Sequence, residues 1–305
     1  MADTEPTGQG AQRHSSLAEV SQVAQLIAQF VAPATLLAGL LYYWGYFHAR
    51  GFCLYLGVDS TSLGFSTTEY VMRSADGLFV PIATIAAVAL AVRWWRLALP
   101  DRLRTRPAPR WLPVVLAIVG GLLLLNGLSQ LRFETPLNRP VGVGPACLIA
   151  GLLLLWSVVK QRRQRLAAAT GTEGPATAPL EWGLVLVLVA GTFFWGATSY
   201  SLAVGKGRAM LFEQSLPRAA GLTLFTEKAL DLTAPGVVRS VCADPGSAYR
   251  YRYDGLVLVL TTSANFVLVP RTWTYSQGRA MVLPRSGYGA VRLEFTRTVP
   301  TAVSC

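Results

Sequence analysis

Long apolar runs are the feature that most constrains what this chain can fold into. A helix of about 20 predominantly apolar residues is long enough to cross a bilayer. Five such runs occur, at residues 23–47, 78–98, 112–131, 141–159 and 182–204. Only 14% of the 305 residues are charged, against about 25% in a soluble globular protein. The sequence therefore predicts a membrane α-helical bundle of five transmembrane helices, with the lipid bilayer as its first partner.

Loops that are rich in basic residues alternate along the chain with loops that contain few, as five membrane spans require. The loop after the second run holds Arg102, Arg104, Arg106 and Arg110, and the loop after the fourth holds the KQRRQR stretch at 160–165. Because Lys and Arg concentrate in cytoplasmic loops, this pattern predicts a plasma-membrane protein with a cytoplasmic N-terminus and an extracytoplasmic C-terminal region. The net charge of +11 is then explained by the arginine and lysine residues of the predicted cytoplasmic loops. It is not accompanied by a nucleic-acid-binding motif, and we expect no nucleic acid partner.

Three further segments flank the predicted bundle. Residues 1–20 have the polar composition of a disordered cytoplasmic tail, and residues 205–220 predict a helix extension followed by a linker. Residues 221–305 change to a period of two, which indicates short strands. With turns rich in Gly and Pro, they predict a small β-rich extracytoplasmic domain, either a sandwich or a partly open barrel.

One stretch of that domain, YRYRYDGLVLVL at 249–260, predicts a hairpin in which Asp254-Gly255 is the two-residue turn. Tyr and Arg alternate before that turn, so the stretch is also a candidate binding face. Ordinary cross-strand pairing is the alternative interpretation. The candidate residues are Tyr249, Arg250, Tyr251, Arg252 and Tyr253.

The polar stretch GFSTTEYVMRSADG, at 64–77, separates the first two apolar runs. Ser66 and Glu69 have the spacing of a capping box, and Phe65 and Tyr70 have that of a hydrophobic staple. A helix should therefore begin at about Thr67 and continue into the second run. Gly64 fits the end of a short preceding turn.

The charges of this stretch allow two interpretations. Glu69, Arg73 and Asp76 fall on one helix face, where they could be a solvated ladder at the start of an interfacial helix. Alternatively, together with Asp59, which could cap the preceding turn, they could line a polar cluster at the outer mouth of the bundle.

The stretches YYWGYF, LGVDSTSLGFSTTEYVMRSADGLFVP and YRYRYDGLVLVL, with the later FVLVPRTW and VRLEF, resemble a group of uncharacterised actinobacterial multi-pass membrane proteins. The resemblance covers residues 40–81 and most of 221–296. It implies the same arrangement of a helical bundle and a C-terminal extracytoplasmic domain. It implies no activity and no catalytic residue.

Motifs for common enzyme chemistry are not found in the sequence: it contains no HExxH, CxxC, P-loop or GxSxG. We therefore expect no catalytic, cofactor-binding or metal-binding residues. The leading hypothesis is a non-enzymatic envelope binding, sensing or scaffold protein, with an envelope component or a partner membrane protein as its ligand and an oligomer as a possible form. The alternatives are a subunit of a transporter or channel assembly that attracts solute with the outer-mouth charges, and a lipid-modifying enzyme that uses Asp59 or Glu69.

The predicted topology places Cys242 and Cys305 outside, where disulfides persist. We predict that they pair, and that closing this loop stabilises the domain by about 4 kcal/mol. Two free thiols, or a pairing with Cys53, are the alternatives. Non-reducing peptide mapping of protein from its native membrane distinguishes them, and alkylation of both cysteines without reductant would contradict the pairing. Labelling of Gln277→Cys from the cytoplasmic side would overturn the topology as well.

Overall fold

The computed structural model describes most of the chain as five helices followed by an antiparallel β-sheet. The described residues are 31, 34–98, 109, 111–133, 135–170, 178–244, 246–287, 289 and 291–297. The predicted tail at 1–20 lies outside them. The helices are α1 (34–55), α2 (Thr67–Ala98), α3 (Leu112–Ser129), α4 (Val143–Thr170) and α5 (Ala178–Ser215). Short 3₁₀ turns at Ser60–Leu63 and Leu216–Arg218 follow α1 and α5.

Four helices, α2 to α5, are long and apolar enough to cross a membrane. Their candidate spans are Thr67–Trp95, Leu112–Ser129, Val143–Ala167 and Leu180–Arg218. Each has most of its side chains uncovered by the protein itself, as expected when lipid is the surrounding medium. Of the first predicted span, at 23–47, residues 34–47 belong to α1; most of its earlier part lies outside the described residues.

Helices α1, α2 and α5 cross at backbone contact, and glycines make these crossings possible. A Cβ atom on Gly45 would lie 1.7 Å from the carbonyl oxygen of Tyr70 on α2. On Gly51 it would lie 2.2 Å from the carbonyl oxygen of Leu202, and on Gly205 2.1 Å from that of His48. Small residues allow helix backbones to approach in this way in membranes, where van der Waals packing drives association. These two crossings, of α1 with α2 and of α1 with α5, bring the ends of α1 and α5 together beside the start of α2.

Helices α3 and α4 form an antiparallel hairpin, and α4 also packs against α5. Gly120 and Gly151 face each other, and a Cβ atom on Gly151 would lie 2.7 Å from the carbonyl oxygen of Gly120. The connecting turn is built around Asn138, which is fully buried. Its Nδ2 donates to Ser129 Oγ (2.9 Å) and its Oδ1 accepts from the Thr135 amide (2.7 Å). Satisfying both ends of the amide fixes the turn between the two helices.

Six strands form one antiparallel sheet in the order β5–β4–β3–β1–β6, with β2 also paired to β3. Within the described residues these strands form one sheet, so the predicted sandwich of two sheets is wrong there. The strands are β1 (Gly221–Thr226), β2 (Val238–Val241), β3 (Tyr251–Thr261), β4 (Asn265–Pro270), β5 (Met281–Pro284) and β6 (Val291–Thr296).

The predicted hairpin at Asp254-Gly255 is also wrong, because β3 continues through these residues. Asp254 and Gly255 lie opposite the single residue Thr223 of β1, which makes a β-bulge. Gly255 has φ +86°, and a Cβ atom there would lie 2.0 Å from the carbonyl oxygen of Gly236. Glycine readily adopts a positive φ, which favours a tight turn; at Gly255 the same property allows the backbone to form the bulge.

The sheet shares its main apolar core with the helix ends. This shared core joins the last turns of α1 and α5, the 3₁₀ turn between α1 and α2, and one face of the sheet. Its buried members are Phe52, Cys53, Leu56, Leu63, Ala209, Leu216, Val257, Leu260, Val267, Val269 and Trp273. The opposite face of the sheet has its own core, with Leu222, Leu224, Tyr253, Leu256, Leu268 and Leu283 buried in it. The helix ends therefore take the place of the predicted second sheet.

Substituting Gly205 tests the close crossing of α1 and α5. We expect Gly205→Ala to lower the free energy of unfolding by about 1–3 kcal/mol, because its methyl group would overlap the His48 carbonyl. Gly207→Ala is a matched control in the same helix, since nothing lies within 4 Å of the added atom. It should stabilise the helix by up to about 1 kcal/mol. Thermal melting of both variants in detergent measures the difference, and equal melting temperatures would contradict the crossing.

Candidate functional site

The start of α2 follows the predicted capping geometry. The Ser66 amide donates to Glu69 Oε2 (2.6 Å), and the Glu69 amide donates to Ser66 Oγ (3.3 Å). The rings of Phe65 and Tyr70 lie 5.3 Å apart, and the helix begins at Thr67. The predicted capping box, staple and helix start are confirmed. The Glu69 carboxylate caps the N-terminus of α2.

The other three outer-mouth residues have separate partners as well. Asp59 caps the 3₁₀ turn, and its hydrogen bonds from the Thr61 hydroxyl and amide lower its pKa. The Arg73 guanidinium lies over the Phe65 ring, 5.1 Å from its centroid. Within the described residues, no ion pair joins Arg73 to a carboxylate.

Asp76 pairs with Arg208 of α5 at 3.2 Å, and both side chains are about half exposed. This ion pair ties α2 to α5, each of which also crosses α1. The four charged residues therefore lie near one end of the bundle, but their interactions do not assemble them into one polar cluster.

Most side chains of the Tyr and Arg strip at 249–253, which leads into β3, are taken up by contacts within the sheet domain. Tyr253 is fully buried, and its Oη accepts from the Leu230 amide (2.7 Å) and donates to the Leu230 carbonyl (2.6 Å). Arg252 is 7% exposed and pairs with Asp254 at 2.9 Å. Tyr249 and Tyr251 are half-buried, which leaves Arg250 as the one exposed member of the strip.

The cysteines divide into bonded and free. Cys242 is disulfide-bonded, whereas Cys53 and Cys147 are free thiols. Burial raises the pKa of Cys53 to about 12, so this thiol is unreactive at neutral pH. Cys305 lies outside the described residues, and its pairing with Cys242 stays a prediction.

Two sets of hydrogen bonds fasten the sheet to the helix ends. In the first, the turn between β3 and β4 binds the loop before α2. Thr262 Oγ1 donates to the Leu63 carbonyl (2.7 Å), and Asn265 Nδ2 donates to the same oxygen (3.0 Å). The Ser263 hydroxyl donates to the Gly64 carbonyl. The bonds to the Leu63 carbonyl are buried, so losing either donor would leave a costly unsatisfied atom, whereas the bond from Ser263 is exposed.

The second set joins the 271–280 segment, between β4 and β5, to α1 and α5. Glu213 of α5 accepts from the Tyr55 hydroxyl with one carboxylate oxygen and from the Tyr275 amide (3.0 Å) with the other. The Tyr55 and Tyr275 rings stack at 4.7 Å. The hydrogen bond to Glu213 raises the pKa of Tyr55 to about 12. Arg271 Nη2 also donates to the Ala219 carbonyl (2.8 Å), which secures the start of the segment.

The same 271–280 segment forms one wall of a groove on the sheet. This sheet groove has a volume of about 920 Å³, and the opposite wall is the 230–237 loop. Thr272 Oγ1 donates to the Pro235 carbonyl (2.7 Å) and links the two walls. The groove is lined by Leu230, Asp231, Leu232, Thr233, Ala234, Pro235, Val237, Arg239, Tyr253, Gln277 and Arg279.

The sheet groove has a basic rim. Arg239 and Arg279 are exposed, and in the part of the chain that the structure describes neither forms an ion pair. Asp231 is the one carboxylate of the lining, so the groove carries a net positive charge and suits an anionic ligand. Sequence analysis missed it, because its walls are irregular loops brought together by the sheet. Only Tyr253 belonged to a predicted site.

No protein-family model, curated protein or solved structure matches this chain. Among the described residues, no group of three or more His, Cys, Asp or Glu could hold a metal ion. The geometry of the groove and of its fastening to the helices is therefore the basis for a functional interpretation.

Glu213 tests the fastening of the 271–280 segment. Replacing it by alanine removes the acceptor of the Tyr275 amide, so we expect that amide to exchange with deuterium about tenfold faster. Gln214→Ala, at the exposed neighbouring position of α5, is the control and should leave the exchange unchanged. Hydrogen exchange of the full-length chain in nanodiscs measures both variants. Unchanged protection at Tyr275 in Glu213→Ala would show that the carboxylate does not hold the segment.

Proposed function

We propose that the protein is a non-enzymatic plasma-membrane protein that binds an anionic envelope component in the sheet groove. The N-terminus is cytoplasmic, and the sheet lies outside on the ends of α1 and α5. The alternation of basic loops supports this orientation. The helices anchor the sheet, and the groove recognises the ligand.

One observation carries this proposal: the 271–280 segment belongs both to the groove and to the helix ends. Gln277 and Arg279 line the groove, while Tyr275, two residues before Gln277, is held by Glu213 of α5. A ligand that orders or shifts this wall therefore acts directly on a contact of the bundle. Such an arrangement is suited to sensing, or to scaffolding that depends on the ligand.

The groove favours a ligand that carries phosphate or carboxylate groups. Two arginines without ion-pair partners can each donate paired hydrogen bonds to such groups. The partly apolar loop 230–237 offers van der Waals contact beside them. The transporter alternative lacks a comparable observation, because Asp59, Glu69, Arg73 and Asp76 interact with separate partners.

Removing the two groove arginines tests the proposed ligand class. Full-length protein in nanodiscs is titrated with a poly(glycerol phosphate) oligomer, which carries phosphate groups, with polygalacturonate, which carries carboxylates, and with neutral dextran. We expect one of the two anionic probes to bind and dextran not to bind. The Arg239→Ala/Arg279→Ala variant should bind at least about tenfold more weakly, because each lost hydrogen bond to a charged group costs about 1.5–3 kcal/mol.

The control for that titration is Arg250→Ala. Arg250 is exposed and directly precedes β3, but it is not part of the groove lining. Its removal should change the affinity less than about twofold. An equal loss in Arg250→Ala would indicate a general attraction to the basic surface. The absence of binding by both anionic probes would contradict the proposed ligand class.

A further inference from the structure

A second groove lies between α3 and α4, at the end of the hairpin opposite its connecting turn. This α3–α4 groove has a volume of about 590 Å³. One wall is the first two turns of α3, and the other is a face of α4. It is lined by Pro113, Val114, Ala117 and Ile118 from α3 and by Val158, Gln161, Arg162 and Arg165 from α4.

The groove is apolar at one end and basic at the other. Helices α3 and α4 are antiparallel, and Gly120 faces Gly151, so Pro113 and Val158 lie at the same level of the hairpin. Arg162 and Arg165 follow Val158 by four and seven residues, which places them about 6 and 10 Å farther along the helix axis. They therefore lie beyond the N-terminal end of α3, whereas the apolar lining continues in the opposite direction, toward the middle of the hairpin.

The basic residues of α4 separate into two groups with different partners. Arg163 donates to Glu181 of α5 at 2.7 Å, and the Lys160 ammonium lies 5.3 Å from the Trp156 ring centroid. In the described part of the chain, Arg162 and Arg165 form no ion pair, and both are exposed. Among the described residues no carboxylate lines the groove, so the lining carries two positive charges at its basic end.

We infer that the α3–α4 groove binds an anionic phospholipid of the cytoplasmic leaflet. The phosphate contacts Arg162 and Arg165, and an acyl chain lies along Val114, Ala117 and Ile118. Basic pockets between membrane helices recognise headgroups in this way. Val114 and Ile118 are 58% and 57% exposed, so the apolar wall is open to the hydrocarbon. This inference rests on the proposed membrane orientation but not on the sheet groove or its ligand.

The test measures lipid binding by native mass spectrometry of the full-length chain in detergent. The probes are dioleoylphosphatidylglycerol and dioleoylphosphatidylcholine, with glycerol phosphate as a soluble headgroup. We expect the protein to retain phosphatidylglycerol in preference to phosphatidylcholine. The Arg162→Gln/Arg165→Gln variant should bind phosphatidylglycerol at least about tenfold more weakly.

Two further variants separate the groove from a general surface charge. Lys160→Gln/Arg163→Gln removes the same charge from the same helix but leaves the groove intact, and it should weaken binding less than about threefold. Ala117→Phe fills the apolar end and should weaken binding although both arginines remain. Thermal melting without added lipid confirms that each variant is folded, and only folded variants enter the comparison.

Three results would overturn the inference. Equal losses in the two charge variants would show a general attraction to the basic helix. Full binding by folded Ala117→Phe would show that no acyl chain occupies the groove. Competition by glycerol phosphate at the affinity of the lipid would assign the site to a free anion. None of these results bears on the sheet groove, because its probes and variants are different.

Discussion

The apolar core shared by the helix ends and the sheet is the interaction on which the rest of the structure depends. Val257, Val267 and Val269 of the sheet pack on Phe52 of α1 and Leu216 after α5. Each fully buried aliphatic side chain contributes about 1.5–3 kcal/mol, so this core outweighs the individual hydrogen bonds around it. The bonds from Thr262, Asn265 and Glu213 select one orientation of the sheet; the core supplies the attraction.

The shared core in turn requires the close crossings below it. Gly51 and Gly205 allow α1 and α5 to approach until backbone meets backbone, which brings Phe52 and Ala209 into one layer. A larger side chain at either glycine would separate the two helix ends and open the layer. The α3–α4 hairpin, by contrast, is held by its own glycines and by Asn138. The hairpin also contacts α5, through the Arg163–Glu181 ion pair and the Trp156 and Trp182 rings, so the molecule combines a bundle coupled to the sheet with a hairpin that packs on that bundle.

Local chemistry explains which features could be predicted from the sequence. The capping box of Ser66 and Glu69 acts over three residues, so its pattern specifies its geometry. Asp254-Gly255 was misleading, because β2 and β4 both pair with β3 on the same side and keep the strand continuous through the bulge. The fastening of Tyr55 to Glu213 joins residues 158 positions apart. The periodicity of a sequence does not reveal such a pair, and the walls of the sheet groove, the 230–237 loop and the 271–280 segment, are likewise separated by strands and loops.

The bonds from Thr262 and Asn265 to Leu63 have a consequence for biosynthesis. They join residues about 200 positions apart, with the four long apolar helices α2 to α5 between them. Contacts of such separation form late, after the intervening chain is in place. The valine-rich face of the sheet therefore has no cover until α1 and α5 are side by side. A chain whose helices insert wrongly keeps that face exposed, as a signal for chaperones and proteases. Completion of the sheet thereby reports that the ends of α1 and α5 have come together.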